Sequence, residues 1–325
     1  MKAMVIDRSG PEPAIREVTL PEPTADEGQV LIDVRAASVN RADLAALAGT
    51  HVSADAPAGP AVVGLDAAGV VLEAPERGRL KPGDRVMTMA GGGLAERIAV
   101  DARMPVVLPD DWSFHDGAAA ILALMTAHNA LVDAGRLQAG DTVLVTGANS
   151  GAGQRAVEVA GVLGAGTVIA AVRRLRDEDL LRGLGAAHVL SSEDAGFSER
   201  LTGCTDGVDV TVDHVGGPML APAIDASAIG ARFVSVGRLA GGRTTIDLDE
   251  VAVKRLEVIG VTFRTRTADD KAAVVESMTT GLSAHLGNGR LRPLIHDVLP
   301  WTDVRAAQTL VASDPHLGKV VLEVS

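Results

Sequence analysis

Short apolar runs broken by turn residues fill the N-terminal third of the chain. MKAMVID, QVLIDVRAASV, AAGVVLEA, DRVMTM and LAERIAV predict strands separated by PEP, ADEG and KPGD, which is the pattern of a β-rich domain. Near Asp116 the period changes, and GAAAILALMTAHNALVDAG carries its apolar residues at helical spacing. From Thr142 the two patterns alternate: TVLVTG, a helix from about Gln154, TVIAAV, a helix around DEDLLRGLG, HVL, VDVTVDHV, a helix over APAIDASAIG, ARFVSVG and LEVIGVTF. Six apolar strands with helical crossovers predict a doubly wound parallel sheet, because parallel neighbours need long connections and helices then cover both faces. Beyond Phe263 come a helix in DKAAVVESMTTGLSAHL, a short strand in LRPLIHDVLP, a helix in WTDVRAAQTLVA and a last strand in KVVLEV. This tail is read as rejoining the first domain. The expected fold class is α/β, with segments 1–118, 119–262 and 263–325, and no internal repeat.

Composition narrows the classes of function. A chain of 325 residues that is 47% hydrophobic can bury two cores of ordinary size. Its 30 Lys and Arg against 42 Asp and Glu leave a net charge of -12, which opposes nucleic acid or an anionic lipid surface as a partner. Any bound anion must therefore meet locally concentrated positive groups. Cys204 is the single cysteine, so neither an internal disulfide nor a cysteine-rich zinc site is available. It lies in the polar turn TGCTDG without a basic cluster, which argues against a reactive thiol. Gly, Pro and charge interrupt every apolar run before the roughly 18 residues of a membrane helix, and the start lacks a signal-peptide pattern. The expectation is a cytoplasmic protein with no membrane and no nucleic-acid partner.

The stretch TGANSGAGQRAVEVAGVLGAGTVIAAVRR carries the candidate chemistry. A strand entering a glycine-rich turn and then a helix presents unpaired backbone N–H groups and a helix dipole to one place, which suits a diphosphate. Ser150, Gly151, Ala152 and Gly153 are the candidate contacts. The spacing departs from GxGxxG: aligned on Gly153, the first two glycine positions hold Ala148 and Ser150, and Gly151 is extra. An ordinary β-to-α turn is the alternative. The next strand runs into Arg173, Arg174 and Arg176 with no carboxylate before Asp177. Guanidinium forks suit a phosphate rather than a ribose hydroxyl, which points to NADPH over NADH. The competing explanation is that exposed arginines merely solvate a loop.

Taken with SVNRADL (38–44), GLDAAGVV (64–71), KPGDRV (81–86), GGGLAE, ALMTAHNAL (123–131), TGANSGAG (146–153), VDHVGG (212–217) and LGKVVLEV (317–324), the chain resembles the medium-chain dehydrogenases/reductases. Within them it is similar to the zinc-free quinone oxidoreductase (zeta-crystallin-like) branch. The resemblance implies a GroES-like catalytic domain, formed by both terminal segments, around an inserted Rossmann domain, usually in a homodimer. It also implies hydride transfer from NADPH to a quinone or an α,β-unsaturated carbonyl compound. An enoyl-thioester reductase of a biosynthetic pathway and a non-catalytic NADPH-binding protein remain as alternatives.

In the zinc-dependent relatives the metal ligands fall at positions held here by Asn40, Leu65 and Leu122, none a normal zinc donor. By position the resemblance assigns a substrate or cofactor amide contact to Asn40, with helix capping as its alternative. It places His51 where relatives carry Tyr, either as a proton source or as a solvated loop histidine. It assigns further cofactor contacts to Thr126, Val215, Gly216, Val236, Gly237, Thr262 and Phe263. Asp43 is read as bonding backbone in a helix's first turn, His128 as packing, and Lys319 as a structural surface lysine. Trp112 and Trp301 are read as packing residues or ligand contacts, and the run Gly91 to Gly93 as a turn or a flexible segment.

Overall fold

The computed structural model describes residues 1–50, 61–313 and 316–324, so the expectation for His51 lies outside the described residues. The chain divides into two compact units, Met1–Leu122 with Phe263–Ser325, and Ala123–Thr262. The sequence pattern puts the first junction at 118 instead, inside the helix that the division cuts.

The first segment opens with β1 (Lys2–Asp7) and β2 (Ala14–Thr19), an antiparallel pair. Strand β3 (Gln29–Val39) is buried along most of its length because β4 (Asp66–Glu73), β6 (Arg97–Asp101) and the C-terminal strand all pair with it. Helix α1 (Arg41–Leu47) follows it directly, while β5 (Arg85–Met89) and β7 (Val106–Val107) extend the sheet beyond β4. Helix α2 (Phe114–His128) starts at a reciprocal cap: Ser113 N donates to Asp116 Oδ2 at 2.8 Å, and Asp116 N donates to Ser113 Oγ at 3.1 Å. It continues as a π-helical turn over Asn129–Ala134. Contrary to the sequence expectation, the stretch Phe114–Ala134 is long and apolar enough to cross a membrane, but most of it is buried inside the protein. It is a core helix.

The second unit alternates as its pattern predicts: β8 (Thr142–Thr146), α3 (Gly151–Val162), β9 (Thr167–Val172), α4 (Glu178–Gly183), β10 (His188–Ser191), α5 (Phe197–Gly203), β11 (Val208–Asp213), α6 (Leu220–Asp225), β12 (Ser227–Ser235), α7 (Leu248–Val253) and β13 (Glu257–Gly260). The six strands lie in the order β10-β9-β8-β11-β12-β13, all parallel. The apparent helix APAIDASAIG ends at Asp225, and its second half belongs to β12. Ser227 ends it by turning its Oγ onto Ala223 O at 2.7 Å, and Gly230 takes a positive φ that a helix does not use. Leu144, Ile169, Phe197, Leu201 and Phe233 form a core against the sheet.

The remaining chain supplies α8 (Ala268–Leu286), β14 (Ile295–Pro300), α9 (Val304–Ala312) and β15 (Lys319–Glu323). Strand β15 runs antiparallel to β3, with Val320 opposite Val39, so the tail does rejoin the first sheet. Arg292 Nη2 adds a bond of 2.8 Å to Asp116 Oδ2. The core of this unit holds Ile32, Val86, Leu94, Trp301, Val320 and Leu322. Trp112 and Trp301 are both buried, which agrees with the packing reading.

Candidate functional site

In the second unit the candidate residues gather at the carboxyl ends of the strands. Helix α3 begins three residues before the predicted start because Ser150 caps it, its Oγ accepting from Gly153 N at 3.0 Å. A Cβ on Gly153 would stand 2.3 Å from Gly147 O and 2.7 Å from Ala148 Cα. Only glycine lets α3 lie this close to the end of β8. The N–H groups of Gly151 and Ala152, in the helix's first turn, have no acceptor within the helix and share its positive dipole end.

Asp213, at the end of β11, ties this loop to its neighbours. Its carboxylate accepts from Thr146 Oγ1, from Val215 N at 3.1 Å and from Gly216 N at 2.9 Å. Its carbonyl accepts from Val236 N at 2.8 Å and Gly237 N at 2.9 Å. The turns after β8, β11 and β12 thus form one rim. Burial pushes the Asp213 carboxyl up, opposed by the bond from Thr146. His214 beside it is wholly buried, and burial pushes its pKa down to about 4, so the ring is neutral at physiological pH. Thr126, on α2, and Thr262, after β13, are half-buried. Phe263 has the Arg266 guanidinium over its ring at 5.6 Å.

Arg173, Arg174 and Arg176 are exposed just past β9. Glu193, beyond the end of β10, reaches the first two: its Oε2 accepts from Arg174 Nε at 3.0 Å, and its Oε1 lies 3.7 Å from Arg173 Nε. Sequence reasoning missed this carboxylate because it arrives on a different strand, 19 residues beyond Arg174.

The first unit holds a buried polar cluster around Asn40. Its Nδ2 donates to Asp66 Oδ2 at 2.8 Å and, more weakly, to Ser38 O at 3.3 Å. Its Oδ1 accepts from Lys319 Nζ at 2.5 Å. Ser38 donates to Asp66 twice, from N and from Oγ, each at 2.6 Å. Asp43 accepts the Asn40 N–H at 2.7 Å, so its first-turn role is as expected, and Asn40 stands at the N-cap of α1.

Lys319 is not a surface residue: it is 8% exposed, and Asp66 is fully buried. Burial and the charge of Asp66 push the Asp43 carboxyl up to about 7. Burial also raises Asp66, against the pull of the Lys319 ammonium, and lowers Lys319 against the pull of both carboxylates. Two carboxyl groups therefore share one cation. A lysine heading the apolar strand KVVLEV was the available signal for this cluster.

Within the glycine run only Gly93 is pinned by packing, since a Cβ there would stand 2.1 Å from Asp66 O, whereas Gly92 takes a positive φ and Gly91 has open space beside it. His128 is buried, and burial lowers its pKa. Cys204 ends α5 and packs against the core of the second unit.

Comparison with known proteins follows the same division. Residues 26–110 match the family described as alcohol dehydrogenase GroES-like domain, and residues 151–280 match that described as zinc-binding dehydrogenase. The chain is 34% identical over 300 residues to the spectinabilin polyketide synthase system protein NorB of Streptomyces orinoci, covering 91% of this chain but 13% of that protein. It is 31% identical to the quinone oxidoreductase of Thermus thermophilus, a structure determined also in complex with NADPH. That match has a TM-score of 0.83 and covers 99% of this chain and 100% of that one. A structure described as an NAD-dependent alcohol dehydrogenase is 26% identical with a TM-score of 0.85, each chain covered completely.

Proposed function

The chain belongs to the medium-chain dehydrogenase/reductase superfamily of oxidoreductases, and from that premise we propose that it is an NADPH-dependent, zinc-independent reductase of α,β-unsaturated carbonyl compounds, quinones among them. The observation that carries the reading is the set of arginines at the end of β9, where an NAD-specific site would place a carboxylate. The similarity to a quinone oxidoreductase determined with NADPH supports it. A cytoplasmic homodimer, binding neither membrane nor nucleic acid, belongs to the same proposal.

The residues fit the nucleotide. The first turn of α3 and the close pass at Gly153 suit the diphosphate, with Ser150, Gly151 and Ala152 around it. Arg173, Arg174 and Arg176 hold the 2′-phosphate once Glu193 is displaced. Val215, Gly216, Val236 and Gly237 line the rim, and Thr126, Thr262 and Phe263 complete the nicotinamide side. When bound, the cofactor supplies a hydride. The chain's own part is to hold the acceptor's carbonyl oxygen, where negative charge collects, with a donor such as the Asn40 amide. A proton from water or from His51 completes the reduction.

The residues do not fit a catalytic zinc, despite the description of the matched family. Such a site needs three protein donors and an open position. The aligned positions hold Asn40, Leu65 and Leu122, and the Asn40 oxygen already receives the Lys319 ammonium. Among the described residues no cluster of three or more His, Cys, Asp or Glu could hold a metal ion.

A second reading, an enoyl thioester as the acceptor, is favoured by the similarity to a polyketide synthase system protein. Both readings are tested by following nicotinamide absorbance with NADPH and NADH against quinones, enones and enoyl thioesters. Turnover with NADPH is expected, and replacing Arg173 and Arg174 by Ala should cut the preference for NADPH over NADH roughly 10- to 100-fold. Preference for NADH, or indifference to both, overturns the proposal.

A further inference from the structure

We propose that Lys319 is a positioning residue that orients and polarises the Asn40 amide for an acceptor's carbonyl, an inference that rests on the reductase reading above. A buried ammonium needs compensation close by. Lys319 Nζ donates at 2.5 Å not to a carboxylate but to the neutral oxygen of Asn40. Asp66 lies on the other side of that amide, accepting from Nδ2 at 2.8 Å. Cation, amide and anion thus form a chain in which only one orientation of the amide satisfies both ends. Flipping it would set NH2 against an ammonium and an oxygen against a carboxylate.

The surroundings hold each end in place. Asp66 is fixed by two bonds of 2.6 Å from Ser38, and its own carbonyl lies where a Cβ on Gly93 would clash. Lys319 is fixed by the pairing of β15 with β3, which sets Val320 opposite Val39. Asn40 sits between them at the start of α1, with its backbone N–H held by Asp43 at 2.7 Å.

Hydrogen bonds in such a chain strengthen one another, because withdrawing electrons at the oxygen makes the amide N–H a better donor. One Nδ2 hydrogen is committed to Asp66. The other makes the long contact to Ser38 O, at 3.3 Å, and is the one a ligand can recruit. Asn40 itself is half-buried, in contrast to Asp66 and Lys319 behind it. Lys319 therefore acts through Asn40 without touching the reacting atoms.

The full-length chain tests this with Lys319→Met, Asn40→Ala and the double variant, assayed with NADPH and one saturating enone. The expected result is a fall in kcat of roughly 10- to 100-fold for Lys319→Met, with little change in NADPH affinity. In the Asn40→Ala background the same change should alter kcat by less than about twofold, because its route of action is already gone. Independent, multiplying effects overturn the inference, as does a Lys319→Met variant that keeps its kcat.

Two further measurements do not depend on that variant folding. Lys319→Arg keeps the charge but not the geometry, and should retain more kcat than Lys319→Met or, if the latter does not fold, still fall below wild type; full wild-type kcat overturns the positioning role. In the NMR spectrum of the protein without ligand, the Asn40 side-chain amide should be shifted and slow to exchange, and Lys319→Arg should move it. A fast-exchanging amide that ignores Lys319 sinks the inference even if the enzyme reduces enones. Conversely, a protected amide in a protein that turns over none of the acceptors condemns the reductase reading and leaves the polar chain standing.

Discussion

At the scale of single residues, two buried titrating groups pull stability in opposite directions with pH. His214 has a folded pKa of about 4, against 6.5 for the free side chain, because burial disfavours the cation. As pH falls through 6.5 the unfolded chain takes up a proton that the folded chain refuses, so stability present above 6.5 is lost towards pH 4. The loss is of order 3 kcal/mol at most. Asp43 has the reverse sign. Its folded pKa of about 7 lies above the ordinary 3.8, so the unfolded carboxyl ionises first and stability falls as pH rises between those values. The two slopes partly cancel in the native chain. Urea unfolding at pH ~5 and ~7.5 should show His214→Leu gaining relative stability at the acid end and Asp43→Asn gaining at the neutral end. If neither variant changes the pH slope, burial does not shift the ionisation of these two groups. Asp43 was legible in the sequence because its partner, the N–H of Asn40, is three residues away. Lys319 and Glu193 were not, since the groups they meet lie 279 and 19 residues off in the sequence.

At the scale of elements, two of the three glycines in α3, Gly153 and Gly161, make opposite demands. Gly153→Ala would drive a Cβ into the backbone of the preceding loop, and the helix would have to retreat from β8. Overpacking of this kind costs about 1–3 kcal/mol. The melting temperature should fall and NADPH affinity should weaken, because the retreat also moves the first-turn amides. Gly161 lies on the same helix with nothing near its would-be Cβ, so Gly161→Ala should stabilise by up to about 1 kcal/mol and leave cofactor affinity alone. Calorimetry and a cofactor titration on the pair check both signs, and a neutral Gly153→Ala refutes the close-approach reading. The alternation that predicts the parallel sheet is a local signal repeated along the second unit, which is why its strands and crossovers were readable from periodicity. Where boundaries slipped, a single side chain decided them: Ser150 caps α3 earlier than its apolar period begins, and Ser227 stops α6 midway through APAIDASAIG. The antiparallel pairing of β15 with β3 joins the two ends of the chain, as the reading of the tail expected, although no local pattern names β3 as the partner strand.

At the scale of the whole molecule, a net charge of -12 acts on both forms of the cofactor, which share a diphosphate and approach through the same field. Their affinities differ only through the 2′-phosphate, which adds about two negative charges near neutrality. That extra charge must overcome the overall repulsion and displace Glu193 from Arg173 and Arg174. Because these guanidiniums are exposed, salt screens their attraction strongly, with a Debye length of roughly 10 Å at 0.1 M. The NADPH-to-NADH affinity ratio should therefore shrink several-fold between about 0.05 and about 0.5 M salt, while NADH binding, held mainly by backbone amides of α3, changes less. Glu193→Gln removes the competing carboxylate while keeping the side chain's size. It should tighten NADPH roughly two- to fivefold and leave NADH unchanged, consistent with the modest worth of exposed ion pairs. Isothermal titration of both cofactors against both proteins at two salt concentrations measures every term. A ratio indifferent to salt and to Glu193 would mean that the phosphate is not held by these arginines.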